Sequence, residues 1–179
     1  MIVEKNKEYK VTIIDNGYEG EGIAKIEDFT IFIKGAIKGE VCKIVITKVN
    51  KSFAFGRLLE VIEHSKKRVE PDCATYKRCG GCSMRHIKYD ETLKIKKDMV
   101  QNLVNKGLEG KIEVNNVIGM EKPYYYRNKL QYPVGTNKEG KTIMGVFANR
   151  THEIIPVEEC LIQNREAEKL AKEVFEFIK

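Results

Sequence analysis

The sequence of 179 residues contains no long hydrophobic run. No apolar stretch follows a basic start, and no uninterrupted apolar segment approaches the roughly 20 residues that cross a bilayer. Secretion and membrane insertion are therefore not expected, and the sequence indicates a cytoplasmic protein with no membrane partner. Its 42% hydrophobic content still allows packed cores to form.

A nucleotide-phosphate motif is also missing. Residues 15–22 include three glycines, Gly17, Gly20 and Gly22, but neither a P-loop nor a strand-to-helix GxGxxG pattern follows. The next segment continues as a strand. We therefore expect these glycines to serve a turn with positive φ angles rather than to hold a phosphate.

The cysteines do not form an even set. There are five, at Cys42, Cys73, Cys79, Cys82 and Cys160. An odd set without a signal peptide argues against a disulfide framework. Three of the five fall within ten residues, which in a reducing compartment indicates a metal or cluster site.

Positive and negative charges balance in the first and last parts of the chain. Residues 1–63 hold ten basic and ten acidic side chains, and residues 107–179 hold eleven of each. The surplus behind the net charge of +6 lies in residues 64–106, with eleven basic side chains against five acidic ones. Such a local positive field suits a polyanion, although a solvated basic helix face gives the same count.

The first part of the chain predicts short strands separated by glycine turns. They cover residues 8–15, 22–26, 29–33, 41–49 and 54–62. Strands at this spacing predict a small closed barrel. In the fourth strand Cys42, Ile44 and Ile46 alternate with more polar positions, so Cys42 is expected in the core.

The second part predicts a mixture of helices and strands. A polar, basic segment closed by Pro71 marks a boundary near residue 64. A helix is expected over residues 90–105 and another from Asn164, with strands over 113–118, 126–134 and 142–148. The apolar face of the first helix is expected to consist of Leu93, Val100, Leu103 and Val104. The predicted class is mainly β with α: a small β-barrel in residues 1–63, then an α+β domain in residues 64–179 that contains most of the cysteines.

The segment from Cys73 to Cys82 has the form C-x5-C-x2-C. Thiolates two residues apart can bind neighbouring corners of one centre, and Gly80 and Gly81 let backbone N–H groups point at sulfur. Cys160 is the natural fourth ligand. This three-plus-one order favours a [4Fe-4S] cluster over structural zinc, which usually uses two close pairs. The C-x3-C-x2-C spacing of radical-SAM clusters is absent, and His86 is the one histidine that could substitute for a cysteine.

Basic and aromatic residues surround the cysteine motif and recur near residue 126. Stacking rings beside cations are what exposed RNA bases and phosphates require, although the same tyrosines could pack in a core. The candidate RNA-binding residues are Lys77, Arg78, Arg85, Lys88, Tyr126, Arg127 and Lys129.

The order of these parts resembles the N-terminal portion of the RNA uracil-5-methyltransferases of the TrmA/RumA type, iron-sulfur branch. The resemblance runs through residues 17–24 and 32–40, then the cysteine motif, residues 126–129, residues 145–154 and Cys160. It implies that residues 1–63 form a TRAM domain, an OB-like RNA-binding barrel, and that residues 64–179 form the α+β domain that binds the cluster. It covers nearly the whole chain, and the cysteine order is its most specific element.

The resemblance implies a [4Fe-4S] cluster on Cys73, Cys79, Cys82 and Cys160, and RNA contact around Arg127. It also implies S-adenosylmethionine-dependent methylation of a uridine in 23S rRNA or tRNA. The catalytic residues and the S-adenosylmethionine pocket would lie in a further C-terminal methyltransferase domain, so no catalytic residue is assigned and the chain is expected to be inactive alone. The alternative is a self-contained RNA-binding module with a structural zinc site made of four cysteines.

Overall fold

The computed structural model describes residues 2–108, 112–149 and 151–179. In these ranges the chain is mainly β with two helices. It divides into two compact units. Unit 1 comprises Met1–Glu70 and Ser83–Gly119, and unit 2 comprises Pro71–Cys82 and Met120–Lys179. None of the helices in the described ranges has the length and apolar character needed to cross a membrane.

Unit 1 is built on a six-stranded sheet. Its strands are β1 Glu8–Thr12, β2 Asp15–Asn16, β3 Gly22–Ile26, β4 Phe29–Lys34, β5 Val41–Val49 and β6 Phe53–Glu63. They lie in the order β1-β5-β6-β4-β3-β2. The β4–β6 pair is parallel and the other pairs are antiparallel. The predicted strands are therefore present, with the first divided in two.

The predicted closed barrel is wrong for the described residues, because no strand ladder joins the edge strands β1 and β2. The cause is a break at Ile13 and Ile14. The Ile13 N–H donates to the Glu40 carbonyl at 2.8 Å, and the Ile14 N–H donates to the Ile23 carbonyl at 2.8 Å. The first predicted strand thus leaves its β5 partner and continues beside β3, so two residues connect the edges of the sheet.

The core of unit 1 follows from strand alternation. Cys42, Ile44 and Ile46 of β5 are fully buried, while Lys43 is exposed. Each fully buried aliphatic side chain stabilises the fold by about 1.5–3 kcal/mol. The prediction that Cys42 belongs to the core is confirmed.

Helix α1, Tyr89–Leu108, confirms the predicted helix but not its predicted apolar face. Ile95 packs with Ile37 and Ile87 in a second buried cluster, with Met99 against it. Val100 and Leu103 are instead about half exposed. The packing partner Ile37 comes from the turn after β4, and a helical periodicity alone cannot reveal which face meets it.

A buried ion pair fastens the segment after β6 to the sheet. Glu40 is fully buried, and the Arg68 guanidinium binds both of its carboxylate oxygens, Nε to Oε1 at 2.6 Å and Nη2 to Oε2 at 2.8 Å. Backbone N–H groups of Ile37 and Ser65 donate to the same carboxylate at 3.0 and 3.3 Å. Together with α1, this places residues 64–70 and 83–119 in unit 1. The compact units consequently differ from a simple cut after residue 63, and the division into a TRAM domain and a cluster domain stays a prediction.

Unit 2 contains a three-stranded antiparallel sheet and one helix. Its elements are β7 Val134–Thr136, β8 Thr142–Phe147, β9 Ile154–Pro156 and α2 Arg165–Ile178. The sheet has the order β7-β8-β9. The predicted turn before β8 is present, since the Asn137 side chain accepts from the N–H groups of Glu139 and Lys141. The Asn164 side chain caps α2 by accepting from the N–H groups of Glu166 and Ala167.

Two predicted strands are wrong. Residues 113–118 have no strand partner among the described residues, and of residues 126–134 only Val134 lies in a strand. Arg127 instead forms a single parallel bridge with Gln163. This segment obtains its backbone hydrogen bonds from the residues before α2, a long-range pairing that alternation in the sequence does not indicate.

Candidate functional site

The cysteine loop is held in tight turns. The Cys79 N–H donates to the Thr75 carbonyl at 2.8 Å, and the Tyr76 N–H donates to the Cys73 carbonyl at 3.1 Å. The Gly81 N–H donates to the Cys79 sulfur at 3.3 Å, as expected for a backbone that wraps thiolates. The Cys73 sulfur lies 3.4 Å from the Thr75 hydroxyl.

This loop is anchored to the turn between β8 and β9. Cys79 forms an antiparallel bridge with Ala148, and the Asn149 N–H donates to the Arg78 carbonyl at 3.0 Å. The Arg78 guanidinium also contacts the Glu153 carboxylate at 2.6 Å, with both side chains exposed. A Cβ at Gly80 would stand 3.4 Å from the Asn149 Cα atom, which is an ordinary van der Waals contact.

Cys160 is positioned by helix α2. Its N–H donates to the Glu168 carboxylate at 3.0 Å, and Glu168 is buried. The Lys172 ammonium lies 3.5 Å from that carboxylate and also binds the Glu158 carbonyl. Burial raises the pKa of the Tyr132 hydroxyl, and the charge of Glu168 beside it acts in the same direction.

All four predicted ligands, Cys73, Cys79, Cys82 and Cys160, are half-buried cysteines of unit 2. In number and kind these donors match an iron-sulfur cluster. Their arrangement does not form a metal site: across residues 2–108, 112–149 and 151–179, no three His, Cys, Asp or Glu side chains lie close enough to hold an ion. The thiols thus share one unit without converging on one point, and no chemical step is assigned to a cluster.

Cys42 and His86 both lie in unit 1. Burial raises the pKa of the Cys42 thiol to about 11, so the nucleophilic thiolate is suppressed at neutral pH. Burial also lowers the pKa of His86 to about 4, which leaves a neutral, packed imidazole.

Tyrosines 124–126 and Arg127 lie beside the residues that precede α2. The Tyr125 N–H donates to the Leu161 carbonyl at 3.0 Å, and the Arg127 N–H donates to the Ile162 carbonyl at 2.8 Å. Tyr125 is held in place, because its hydroxyl donates to Glu159 and the Arg165 guanidinium lies 4.0 Å above its ring. No pattern in the sequence pointed to Arg165.

Tyr126, Arg127 and Lys129 are exposed, and the Arg127 Nε donates to the Lys129 carbonyl at 3.0 Å. Lys77 and Arg78 lie in the same unit, so five of the seven predicted RNA contacts share unit 2. Arg85 and Lys88 belong to unit 1. The glutamate bound to Arg78 lowers the positive charge that this side chain offers to an anion.

A second group of aromatic residues lies on the sheet of unit 1 and was not predicted from the sequence. Phe32 of β4 and Phe53 and Phe55 of β6 bring their rings together on the sheet of unit 1, with centroids 5.4–6.0 Å apart. The signal was present in the alternation of phenylalanine with Ala54 and Gly56. The two small residues made this strand look weakly amphipathic.

Part of unit 1 is similar to a recognised class of module. Residues 3–59 match the model of the TRAM domain. They include all of β1 to β5 and the first part of β6.

Similar proteins cover nearly the whole chain. Proteins of Clostridium acetobutylicum and Clostridium tetani are each 46% identical to it, over 99% and 98% of its length, and one of Staphylococcus aureus is 40% identical over 99%. All three are named uncharacterized RNA methyltransferases. The chain spans 39%, 38% and 39% of these relatives, respectively.

One solved structure has a similar fold at low identity. It is the crystal structure of the Pyrococcus abyssi tRNA (uracil-54, C5)-methyltransferase in complex with S-adenosyl-L-homocysteine. The TM-score is 0.65 at 20% identity, and the match covers 94% of this chain and 36% of that protein. At this identity the comparison establishes a shared fold and nothing further.

Proposed function

We propose that this chain is the RNA-recognition and [4Fe-4S]-binding portion of an S-adenosylmethionine-dependent RNA (uracil-5-)-methyltransferase acting on 23S rRNA or tRNA. The observation that carries the proposal is the similarity, over 97–99% of the chain, to proteins named RNA methyltransferases. The TRAM match and the order of the four unit 2 thiols support the RNA and cluster parts. The odd number of cysteines is consistent with action in the cytoplasm.

Methylation at C5 of uridine requires a nucleophile that adds to C6 and a base that later removes the C5 proton. The target base must also be flipped out of its stack. We assign none of these roles to this chain. Cys42 in particular is not the nucleophile, because its thiol is buried and its pKa is raised to about 11. In the intact protein they would fall to a methyltransferase domain.

Helix α2 offers a surface that such a domain would cover. Its residues Leu170, Val174, Phe177 and Ile178 follow helical spacing and are 51–94% exposed. The chain matches 39% of the Clostridium acetobutylicum protein. The rest of that relative is long enough to form a further domain, and a domain of this kind would pack on the apolar face of α2.

The function is tested by methyl transfer. The intact gene product, incubated with methyl-labelled S-adenosylmethionine and unmodified bacterial RNA, is expected to place label in 5-methyluridine, read by nuclease digestion and chromatography. The 179-residue chain alone is expected to bind the same RNA without labelling it. Label in another nucleoside, or none with the intact protein, would contradict the proposal.

Cluster binding is tested by metal analysis of anaerobically purified protein. We expect roughly four iron and four acid-labile sulfide per chain, on Cys73, Cys79, Cys82 and Cys160. Cys82→Ser should lose most of the iron, whereas the matched control Cys42→Ala should retain it, because Cys42 lies in the core of unit 1. One zinc ion per chain without sulfide would contradict the cluster. It would favour the alternative, an RNA-binding module with a structural zinc site on the same four cysteines.

The RNA contacts that we propose are Lys77, Arg78, Arg85, Lys88, Tyr126, Arg127 and Lys129. The exposure of Tyr126, Arg127 and Lys129 supports them, as a ring beside two cations can stack a base and contact its phosphates. Arg127 is the most informative position, because its backbone is fixed by Ile162 while its side chain remains exposed.

A further inference from the structure

Three phenylalanines form a compact aromatic group on the sheet of unit 1. The centroids of Phe53 and Phe55 are 5.4 Å apart, and Phe32 lies 5.7 Å from Phe53 and 6.0 Å from Phe55. Phe32 and Phe55 are paired across the parallel β4–β6 ladder. All three residues are partly exposed. We call this group the phenylalanine face.

The phenylalanine face is not part of the core of unit 1. The alternating residues Ile31, Ile33 and Ala54 are fully buried on the other side of the same strands. The core cluster and the partly buried side chains packed against it, as far as the described residues define them, do not include these phenylalanines. Ring pairs across neighbouring strands stabilise a sheet, and a contiguous apolar patch on its outer side is also a feature of binding surfaces.

Cations border the phenylalanine face. Lys34 and Arg57 are paired across the β4–β6 ladder, each two residues beyond a phenylalanine and thus on the same side of the sheet. Lys48 of β5 is paired with Phe55. All three cations are exposed, and none forms an ion pair within the part of the chain that the structure describes.

Rings and cations in this arrangement match one ligand chemistry. Unpaired bases stack on aromatic faces with little sequence preference, while the adjoining phosphates bind cations. A duplex keeps its bases inside and offers this surface only phosphates. An apolar protein partner would use the rings but leave three cations without counter-charges.

We propose that the phenylalanine face, with Lys34, Lys48 and Arg57, binds about two unpaired bases of single-stranded RNA and their phosphates. This proposal rests on the proposed function, which makes RNA the ligand. It adds an RNA contact on the sheet of unit 1 to Arg85 and Lys88, the contacts already proposed in that unit.

The test is fluorescence anisotropy of the 179-residue chain with a labelled, unstructured RNA of about 12 nucleotides and with a duplex of the same sequence. Phe55→Ala is expected to weaken single-strand binding about tenfold and duplex binding much less. Phe55→Leu, which keeps apolar volume but removes the ring, should resemble Phe55→Ala, while Phe55→Tyr should bind like the wild type. Leu59→Ala, an exposed apolar position further along β6, is the matched control and should bind normally.

Salt dependence gives a second, independent measurement. Removing one phosphate contact by Lys48→Ala should reduce the slope of log affinity against log salt by about 0.7. Thermal unfolding of each variant checks that the sheet is intact, and Phe53→Ala provides a second ring deletion if Phe55→Ala does not fold.

The outcomes separate this inference from the proposed function. If the wild-type chain has no affinity for RNA, both the proposed function and the phenylalanine face are overturned. Normal binding by Phe55→Leu or Phe53→Ala, in a chain whose affinity falls with Arg127→Ala, overturns the phenylalanine face alone. A change of oligomeric state in Phe55→Ala, without loss of RNA affinity, would also overturn it and identify a second copy as the occupant.

Discussion

Replacing Arg68 with methionine is expected to lower the free energy of unfolding by about 3–5 kcal/mol. The substitution keeps an apolar side chain of similar length but leaves the Glu40 carboxylate buried without its bidentate partner. The two backbone N–H groups of Ile37 and Ser65 remain, and they do not supply a full charge. Urea unfolding followed by circular dichroism measures the change.

Lys67 provides the matched control for Arg68. Its ammonium lies 3.1 Å from the Glu91 carboxylate, but its side chain is 38% exposed. An exposed pair of this kind contributes no more than about 1 kcal/mol. If Lys67→Met and Arg68→Met lower the free energy of unfolding equally, burial of Glu40 is not the reason that the Arg68 pair is stabilising.

The same ion pair gives a pH dependence of defined sign. Burial raises the pKa of Glu40, but hydrogen bonds and charge from Arg68, with the backbone N–H groups, outweigh burial and hold the pKa below its ordinary value. A carboxyl group with a lower pKa in the folded state stabilises the fold above its unfolded pKa, and this contribution is lost as pH falls through the folded pKa. Without Arg68, burial should raise the pKa of Glu40 in the variant, so the difference in stability between wild type and Arg68→Met should narrow as pH falls through that raised pKa and on to the lowered pKa of the wild type.

Gly145→Ala is expected to destabilise unit 2 by about 3 kcal/mol or more. A Cβ at this position would overlap the Ile155 carbonyl oxygen and lie 2.6 Å from the carbonyl carbon. Both atoms belong to the β8–β9 ladder, where Gly145 is paired with Pro156, so relief requires the strands to separate. Differential scanning calorimetry should show a lower transition temperature.

The neighbouring strand supplies the control for Gly145. A Cβ at Gly135 of β7 would meet only the Cδ1 atom of Ile154, at 2.7 Å. That atom ends a flexible side chain, so Gly135→Ala should cost less than about 1.5 kcal/mol. Comparable destabilisation by the two variants would contradict the steric explanation and indicate a general intolerance of side chains in this sheet.

Local patterns were sufficient to predict most elements of the fold. The alternation in β5 predicted which residues are buried, and Asn164 predicted the start of α2, because these signals lie within one element. The bend at Ile13 was not predictable, since its partner Glu40 is distant in sequence. The strand expected over residues 126–134 was wrong for the same reason.

The candidate site was predictable in composition but not in geometry. The sequence identified four thiols, yet spacing along the chain could not reveal that Cys160 is held by Glu168 or that Cys79 lies beside Ala148. The phenylalanine face was hidden because its rings come from two strands, β4 and β6, that are far apart in the sequence. Such surfaces emerge only when the register of strands is known.

The buried thiol of Cys42 has a practical consequence for experiments on both units. A thiol-alkylating reagent reaches this sulfur only while the sheet of unit 1 is open, because the side chain is fully buried and protonated. The four remaining thiols are partly accessible in unit 2 without any opening. The modification rate of Cys42 is therefore a site-specific kinetic probe of opening in unit 1, independent of the state of the other cysteines.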